Sequence, residues 1–161
     1  KQPALVGQAM NDGRTPLYIA AQKGHLEVVQ WLAGEQPALV GQAMNDGRTP
    51  LWTAAYNGHL EVVQWLADKQ PALVGQAMND GRTPLYTAAQ QGHLDVAQWL
   101  AGKQPALVGQ ADSRCRTPLE IARENGHSDI VTYLEAKLST MDMIIELFSS
   151  MATSCYNTSQ R

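Results

Sequence analysis

The sequence predicts an all-α protein, a solenoid of four stacked helix–turn–helix units. Three short strings, Thr-Pro-Leu, Gly-His and Gln-Pro-Ala-Leu-Val-Gly, recur at a constant spacing of 34 residues. The Thr-Pro-Leu strings begin at Thr15, Thr49, Thr83 and Thr117. Two short helices cannot bury a core alone, so copies at a fixed period indicate units that stack on their neighbours.

Each unit carries the start and stop signals of two short helices. In the first unit Thr15 can cap a helix whose first residue is Pro16, and Gly24 can end that helix. A second helix begins at His25 or Leu26, with its leucines and valines on one apolar face. Pro37, which recurs 34 residues later as Pro71, then opens a long loop.

The strings at residues 12–17, 20–21 and 24–29 resemble the ankyrin repeat, and the match recurs four times. The resemblance implies antiparallel helix pairs joined by loops that project as β-hairpins. It also implies a concave face made of hairpin tips and first helices. The repeats are predicted at about 2–35, 36–69, 70–103 and 104–137.

The chain departs from the family pattern at several positions. Its period is 34 rather than 33 residues, with the extra residue in the loop. The family's histidine after Thr-Pro-Leu is replaced by an aromatic residue in three repeats and by glutamate in the fourth. The fourth repeat also has Cys115 at the turn glycine and Arg123 at an alanine position.

Repeats one to three are nearly identical, so we expect the positions that differ on their first helices to contact a partner. Four sets of equivalent positions differ there, beginning at Tyr18, Ile19, Gln22 and Lys23. Tyr and Trp dominate interface hot spots, and hairpin arginines can supply polar contacts. The predicted partner-binding residues are Arg14, Tyr18, Lys23, Arg48, Trp52, Tyr56, Arg82, Tyr86, Gln90, Gln91, Glu120 and Glu124. Two alternatives stay open: the aromatic residues pack between first helices, or the positions have drifted after duplication.

Other recurring residues have a structural interpretation. Four histidines stand one period apart, but neighbouring repeats are about 8–10 Å apart, too far for a shared metal ion. We expect each histidine to hydrogen-bond within its own repeat. The tryptophans of the second helices predict a ladder between repeats or a convex binding face. The arginines beside the loop aspartates predict a row of exposed, partly paired charges.

Composition and charge narrow the possible functions. The net charge of −3 argues against nucleic-acid binding, and no apolar run is long enough to cross a membrane. No signal segment opens the chain, although it begins at Lys1. Two separated cysteines predict free thiols and an intracellular, cytoplasmic location. No catalytic constellation is visible, so the sequence predicts a non-enzyme without cofactor or metal.

The period is lost after residue 137. Residues 138–161 are predicted to form a helix at about 140–151 and a polar tail, with the helix acting as a cap or as a docking element for a partner. The first repeat has the same apolar face as the next two.

The repeats and the variable positions on their first helices together predict binding of a protein or peptide in the concave groove by a monomer. The alternative is a structural spacer, or a solenoid that self-associates through its uncapped N-terminal face or belongs to a longer array.

Overall fold

The computed structural model describes the backbone of residues 7–158 and the side chains of residues 7–144. Eight helices form four antiparallel pairs, and no strand occurs among the described residues. The helices are α1 (Pro16–Gln22), α2 (Leu26–Glu35), α3 (Pro50–Tyr56), α4 (Leu60–Lys69), α5 (Pro84–Gln91), α6 (Leu94–Lys103), α7 (Pro118–Glu124) and α8 (Ser128–Thr158). Short 3₁₀ turns follow the first three pairs at Pro37–Val40, Pro71–Val74 and Pro105–Gly109. The predicted all-α solenoid is confirmed.

The first helix of each pair begins as the sequence predicts. The Thr15 hydroxyl accepts a hydrogen bond from the Tyr18 backbone N–H at 3.1 Å, and Pro16 occupies the first helical turn. This satisfies one of the amide donors that a helix leaves unpaired at its start. The chain then turns at Gly24, where φ is +74°, a backbone angle that glycine adopts without a Cβ penalty.

The two helix layers of the solenoid are packed differently. The first helices α1, α3, α5 and α7 contact one another extensively, whereas the second helices of neighbouring repeats touch at only a few residues. The close approach relies on buried alanine pairs such as Ala54 and Ala55. Because the first-helix layer is more closely spaced, it lies on the concave side of the array.

Histidines connect each repeat to the one before it. His59 Nε2 lies 3.1 Å from the Gln22 carbonyl oxygen, and His93 Nε2 lies 3.0 Å from the Tyr56 carbonyl oxygen. The prediction of hydrogen bonds within one repeat was therefore wrong. The C-terminal carbonyls of each first helix need a partner, and the next repeat's histidine is the group within reach.

The loops that precede the first helices are tight turns rather than β-hairpins. In the first loop Gly13 N–H donates to the Met10 carbonyl at 2.9 Å, and Met10 N–H donates to the Arg14 carbonyl at 2.8 Å. A turn closed by these two bonds is too short to form a ladder between strands. The prediction of β-hairpins is therefore wrong for the described residues. Successive loops are joined instead, since Asn45 N–H donates to the Asp12 carbonyl at 3.2 Å.

The last helix is longer than predicted. In place of a separate helix at about 140–151, α8 runs without a break from Ser128 to Thr158. The reason is that Ser139 stands where the first three repeats have a proline that stops the second helix. Side chains from residue 145 onward, the end of the predicted tail and residues 1–6 lie outside the described residues. Among the described helices, none combines the length and apolar character that crossing a bilayer needs.

Candidate functional site

Three of the predicted contact residues are buried inside the array. Tyr18, Trp52 and Tyr86 expose almost no surface, so they cannot offer their rings to a partner. The Trp52 indole Nε1–H donates to the Arg82 carbonyl of the next repeat at 3.3 Å, and the Arg116 guanidinium lies 5.9 Å above the Tyr86 ring. These aromatic side chains pack between repeats. The interpretation of all three as exposed contact residues is therefore corrected in favour of the packing alternative.

Tyr56 is the exception among the aromatic residues of the first helices. Its side chain is 39% exposed, and its ring stacks on Trp52 with the ring centroids 5.5 Å apart. The Arg48 guanidinium lies 5.9 Å above the Trp52 ring. An exposed ring is thus held in place by a buried one, at the C-terminal end of α3.

The polar predicted residues divide into exposed and engaged side chains. Lys23 and Gln91 are exposed, and Gln90 is partly exposed. Glu120 Oε2 accepts hydrogen bonds from the Thr117 backbone N–H and hydroxyl, which hold the pKa of Glu120 below its ordinary value. Glu120 therefore closes a capping box at the start of α7, and its acceptors are already in use.

The predicted row of loop arginines is present, and each is paired within its own loop. Arg14, Arg48 and Arg82 contact the aspartate two residues earlier at 2.6–2.7 Å. The hydrogen bond from the Arg82 side chain lowers the pKa of Asp80. Because the side chains of these pairs are 30–43% exposed, we expect each pair to contribute little to stability.

The loop of the fourth repeat differs from the other three at more positions than the Cys115 replacement noted in the sequence. It reads Asp112-Ser113-Arg114-Cys115-Arg116, where the others read Met-Asn-Asp-Gly-Arg. Comparing the four loops position by position is the signal that would have found it. Cys115 adopts φ +61°, so the turn keeps the left-handed conformation of the glycine that it replaces.

Asp112 organises this fourth loop from a buried position. Its Oδ1 accepts from the Arg114 and Arg116 backbone N–H groups, both at 2.9 Å, and its Oδ2 accepts from Arg116 Nη2 at 2.9 Å. Burial opposes ionisation of Asp112, but these hydrogen bonds outweigh it and lower its pKa to about 2. Burial, together with the neighbouring Asp112 carboxylate, raises the pKa of Tyr86 to about 12.

The N-terminal side of the first repeat, here called the leading face, presents apolar side chains to solvent. It consists of Met10, Val28 and Trp31. Met10 is 53% exposed and Val28 is 45% exposed, whereas their counterparts in the second repeat, Met44 and Val62, are 9% and 1% exposed. The difference arises because the preceding repeat covers these positions in the interior of the array.

The C-terminal side of the fourth repeat, here called the trailing face, is charged. Arg123 and Glu135 form an ion pair there, with about half of each side chain exposed. The equivalent residues of the first three repeats are alanines that the next repeat buries, beginning with Ala21 and Ala33. The trailing face is therefore charged, whereas the leading face is apolar.

Among the described residues, no three His, Cys, Asp or Glu side chains come together in a way that could hold a metal ion.

Comparison with known families agrees with the geometry of the repeats. None of the curated proteins compared with this chain matches it. A family model described as ankyrin repeats in three copies matches residues 3–73, 36–112 and 71–142. Together these matches extend over most of the chain, which therefore belongs to the ankyrin-repeat family, whose repeats are generally protein–protein interaction modules.

Proposed function

We propose that this protein binds an exposed segment of another protein on its concave surface, formed by α1, α3, α5, α7 and the loops that precede them. The observation that carries the proposal is Tyr56, whose ring is exposed at a position where the flanking repeats have glutamine. Nothing in the packing of the array requires an aromatic side chain there, because Gln22 and Gln90 occupy the same position in repeats that fold alike.

The environment of Tyr56 supports a role in binding. Its ring stacks on Trp52, which is itself fixed by a hydrogen bond to the next repeat and by the Arg48 guanidinium above it. A ring that is already ordered loses little conformational entropy when a partner covers it. Tyrosine also offers a large apolar area together with a polar hydroxyl, the combination that recurs at interface hot spots.

Polar residues of the first helices and their loops would form the rim of the binding surface. Lys23 and Gln91 are exposed, and Arg14, Arg48 and Arg82 keep part of their guanidinium surface open beside their loop aspartates. Such a rim gives orientation and selectivity more than affinity, since partly exposed charges interact weakly in water. The arrangement favours a peptide or loop with one apolar contact residue and polar neighbours.

A library of displayed 12-residue peptides tests the proposal, with the intact chain as bait. We expect selected peptides to bind Tyr56→Gln at least about tenfold more weakly, since hot-spot tyrosines contribute about 2 kcal/mol or more. The control is Trp31→Gln, which removes an exposed ring from the second-helix side of the array. Equal affinity for the intact chain and Tyr56→Gln would contradict the proposal.

A second candidate function, self-association, is favoured by the leading face. The same side chains are buried, wholly or in part, in the second and third repeats, as Val62 and Val96 are, so this surface resembles one that a neighbouring repeat covers. We propose a second copy of the chain as the occupant, in a two-fold arrangement of leading face on leading face. The charged trailing face disfavours head-to-tail stacking, because it would bury the Arg123–Glu135 pair.

Light scattering after size exclusion separates the two candidates. Self-association predicts a dimer at micromolar concentration that Trp31→Gln weakens and Tyr56→Gln leaves unchanged. A monomeric intact chain at the highest soluble concentration would contradict the second candidate without affecting the first.

A further inference from the structure

The aspartate that closes the fourth loop stands at a different position from the aspartate that closes the third. In the third loop Asp80 closes the turn, accepting from Arg82 N–H at 3.2 Å and from Arg82 Nε at 2.7 Å. In the fourth loop the buried Asp112, two residues earlier in the repeat, makes the corresponding bonds to Arg116. In the fourth loop the position equivalent to Asp80 is therefore not needed to close the turn, and Arg114 occupies it.

Arg114 differs from the other loop arginines because its side chain has no partner among the residues whose side chains the structure describes. Arg82 and Arg116 are each held by an aspartate of their own loop. No hydrogen bond or ion pair engages the Arg114 guanidinium within residues 7–144, and the residue is exposed. Because Cys115 preserves the turn, the fourth loop keeps its shape while its tip changes from a negative to a positive charge.

A cleft of about 330 Å³ lies between the third and fourth loops, here called the loop-4 cleft. Its lining consists of Asp80, Arg82, Gln90, Asp112, Ser113, Arg114 and Arg116. Three arginines against two aspartates leave one excess positive charge, and both aspartates already accept hydrogen bonds from arginines. One further carboxylate stands nearby, Glu124, whose Oε2 is 3.4 Å from Arg116 Nη1.

We infer that the loop-4 cleft takes the carboxylate of an acidic side chain on the protein partner. The inference rests on the proposed function and names the chemistry of one part of the same surface. A guanidinium binds a carboxylate through two parallel N–H donors, and Arg114 has its whole fork available. Arg114 is the one arginine of the cleft lining that no carboxylate holds among the described residues, so it can pair with one incoming carboxylate. A phosphoryl group carries about −1.5 to −2 and would be repelled more strongly by Asp80, Asp112 and Glu124.

Backbone NMR of the 15N-labelled chain tests the inference directly, with acetyl-Ala-Glu-Ala-amide as the probe and acetyl-Ala-Gln-Ala-amide as its neutral match. We expect the glutamate peptide to shift the resonances of residues 112–116 in a saturable way, with smaller changes in the equivalent loop at 78–82. Arg114→Gln weakens this binding by about tenfold, the loss expected for a charge-assisted hydrogen-bond pair. The matched control Lys103→Gln removes the same charge from the end of α6 and leaves the binding unchanged.

Two results would overturn the inference. One is equal shifts with the glutamine peptide or with Arg114→Gln. The other is a phosphoserine tripeptide that binds more than about tenfold tighter than the glutamate peptide, which would reassign the cleft to phosphate. The proposed function has a separate readout: displayed peptides that lose affinity with Tyr56→Gln but not with Arg114→Gln would sustain the function and reject the acidic subsite.

Discussion

The N-terminal side of the first repeat and the C-terminal side of the fourth repeat carry opposite kinds of side chain. At the leading face Met10, Val28 and Trp31 keep the apolar side chains of an interior repeat and expose them. At the trailing face two alanine positions have become Arg123 and Glu135, which pair with each other in solvent. The comparison shows that burial of a residue in a repeat array is decided by its neighbouring repeat, since identical residues are buried in one copy and exposed in another.

The largest expected effect contrasts one valine with its counterpart. Val62→Asp places a charge in the core between repeats, and we expect it to lower the free energy of unfolding by about 4 kcal/mol or more. Val28→Asp places the same charge on the leading face and changes that free energy by less than about 0.5 kcal/mol. Urea denaturation of both variants measures the difference. Similar losses in the two variants would mean that the leading face is covered.

A pair of turn glycines gives the next largest difference. A Cβ at Gly92 would lie 2.6 Å from His127 Cε1, while a Cβ at Gly126 would meet nothing within 4 Å. Both glycines have positive φ, so alanine costs about 1–2 kcal/mol at either site. Gly92→Ala must also displace the imidazole and its hydrogen bond to the Gln90 carbonyl, which adds about 1 kcal/mol. Thermal unfolding that ranks the two variants equally would argue against the histidine contact.

Two substitutions remove the charged pair from the trailing face. Arg123→Ala with Glu135→Ala restores the residues of the other repeats, and an exposed ion pair contributes less than about 1 kcal/mol. We therefore expect a folded variant that stacks its trailing face on the leading face of another copy, forming open chains. Sedimentation velocity detects them as species that grow with concentration. A variant whose mass distribution matches that of the intact chain would show that these charges do not limit stacking.

The smallest effect is the part of the pH dependence that comes from Asp112 in the fourth repeat. The pKa of Asp112 falls from the ordinary 3.8 to about 2 in the folded chain, so the unfolded chain binds the proton more tightly. The resulting stability is present above about pH 4 and is lost as the pH falls towards 2. Asp112→Asn removes this part of the pH dependence. Denaturation midpoints measured between pH 2 and 5 test it, with Asp46→Asn in the second loop for comparison.

The local structure of each repeat could be predicted because its signals lie within a few residues of one another. Thr15, Pro16 and Gly24 specify the start and end of α1, and the structure follows them. The exposure of a first-helix side chain could not be predicted in the same way. Tyr18 and Tyr56 are both tyrosines on the same helix type, but the first packs against the next repeat and the second faces solvent. That outcome depends on which side of the helix the neighbouring loop covers.

Two further features were decided by contacts distant in sequence. The histidines bond to carbonyls 37 residues earlier, a partnership that no reading of one repeat could reveal. The fourth loop keeps the shape of the others although its residues changed, because Asp112 took over the bonds that aspartate makes elsewhere. Because the packing buries the other first-helix aromatic residues, the candidate binding surface consists of Tyr56 and the loop-4 cleft.

The sequence by itself determined the 34-residue period, the first seven helices and the family, because periodicity, caps and glycines act locally and recur without a gap. The tertiary structure alone decided which side chains remain available to a partner. A residue's exposure is a property of the repeat stacked against it, so identical repeats have buried residues in the middle of the array and exposed ones at its leading face.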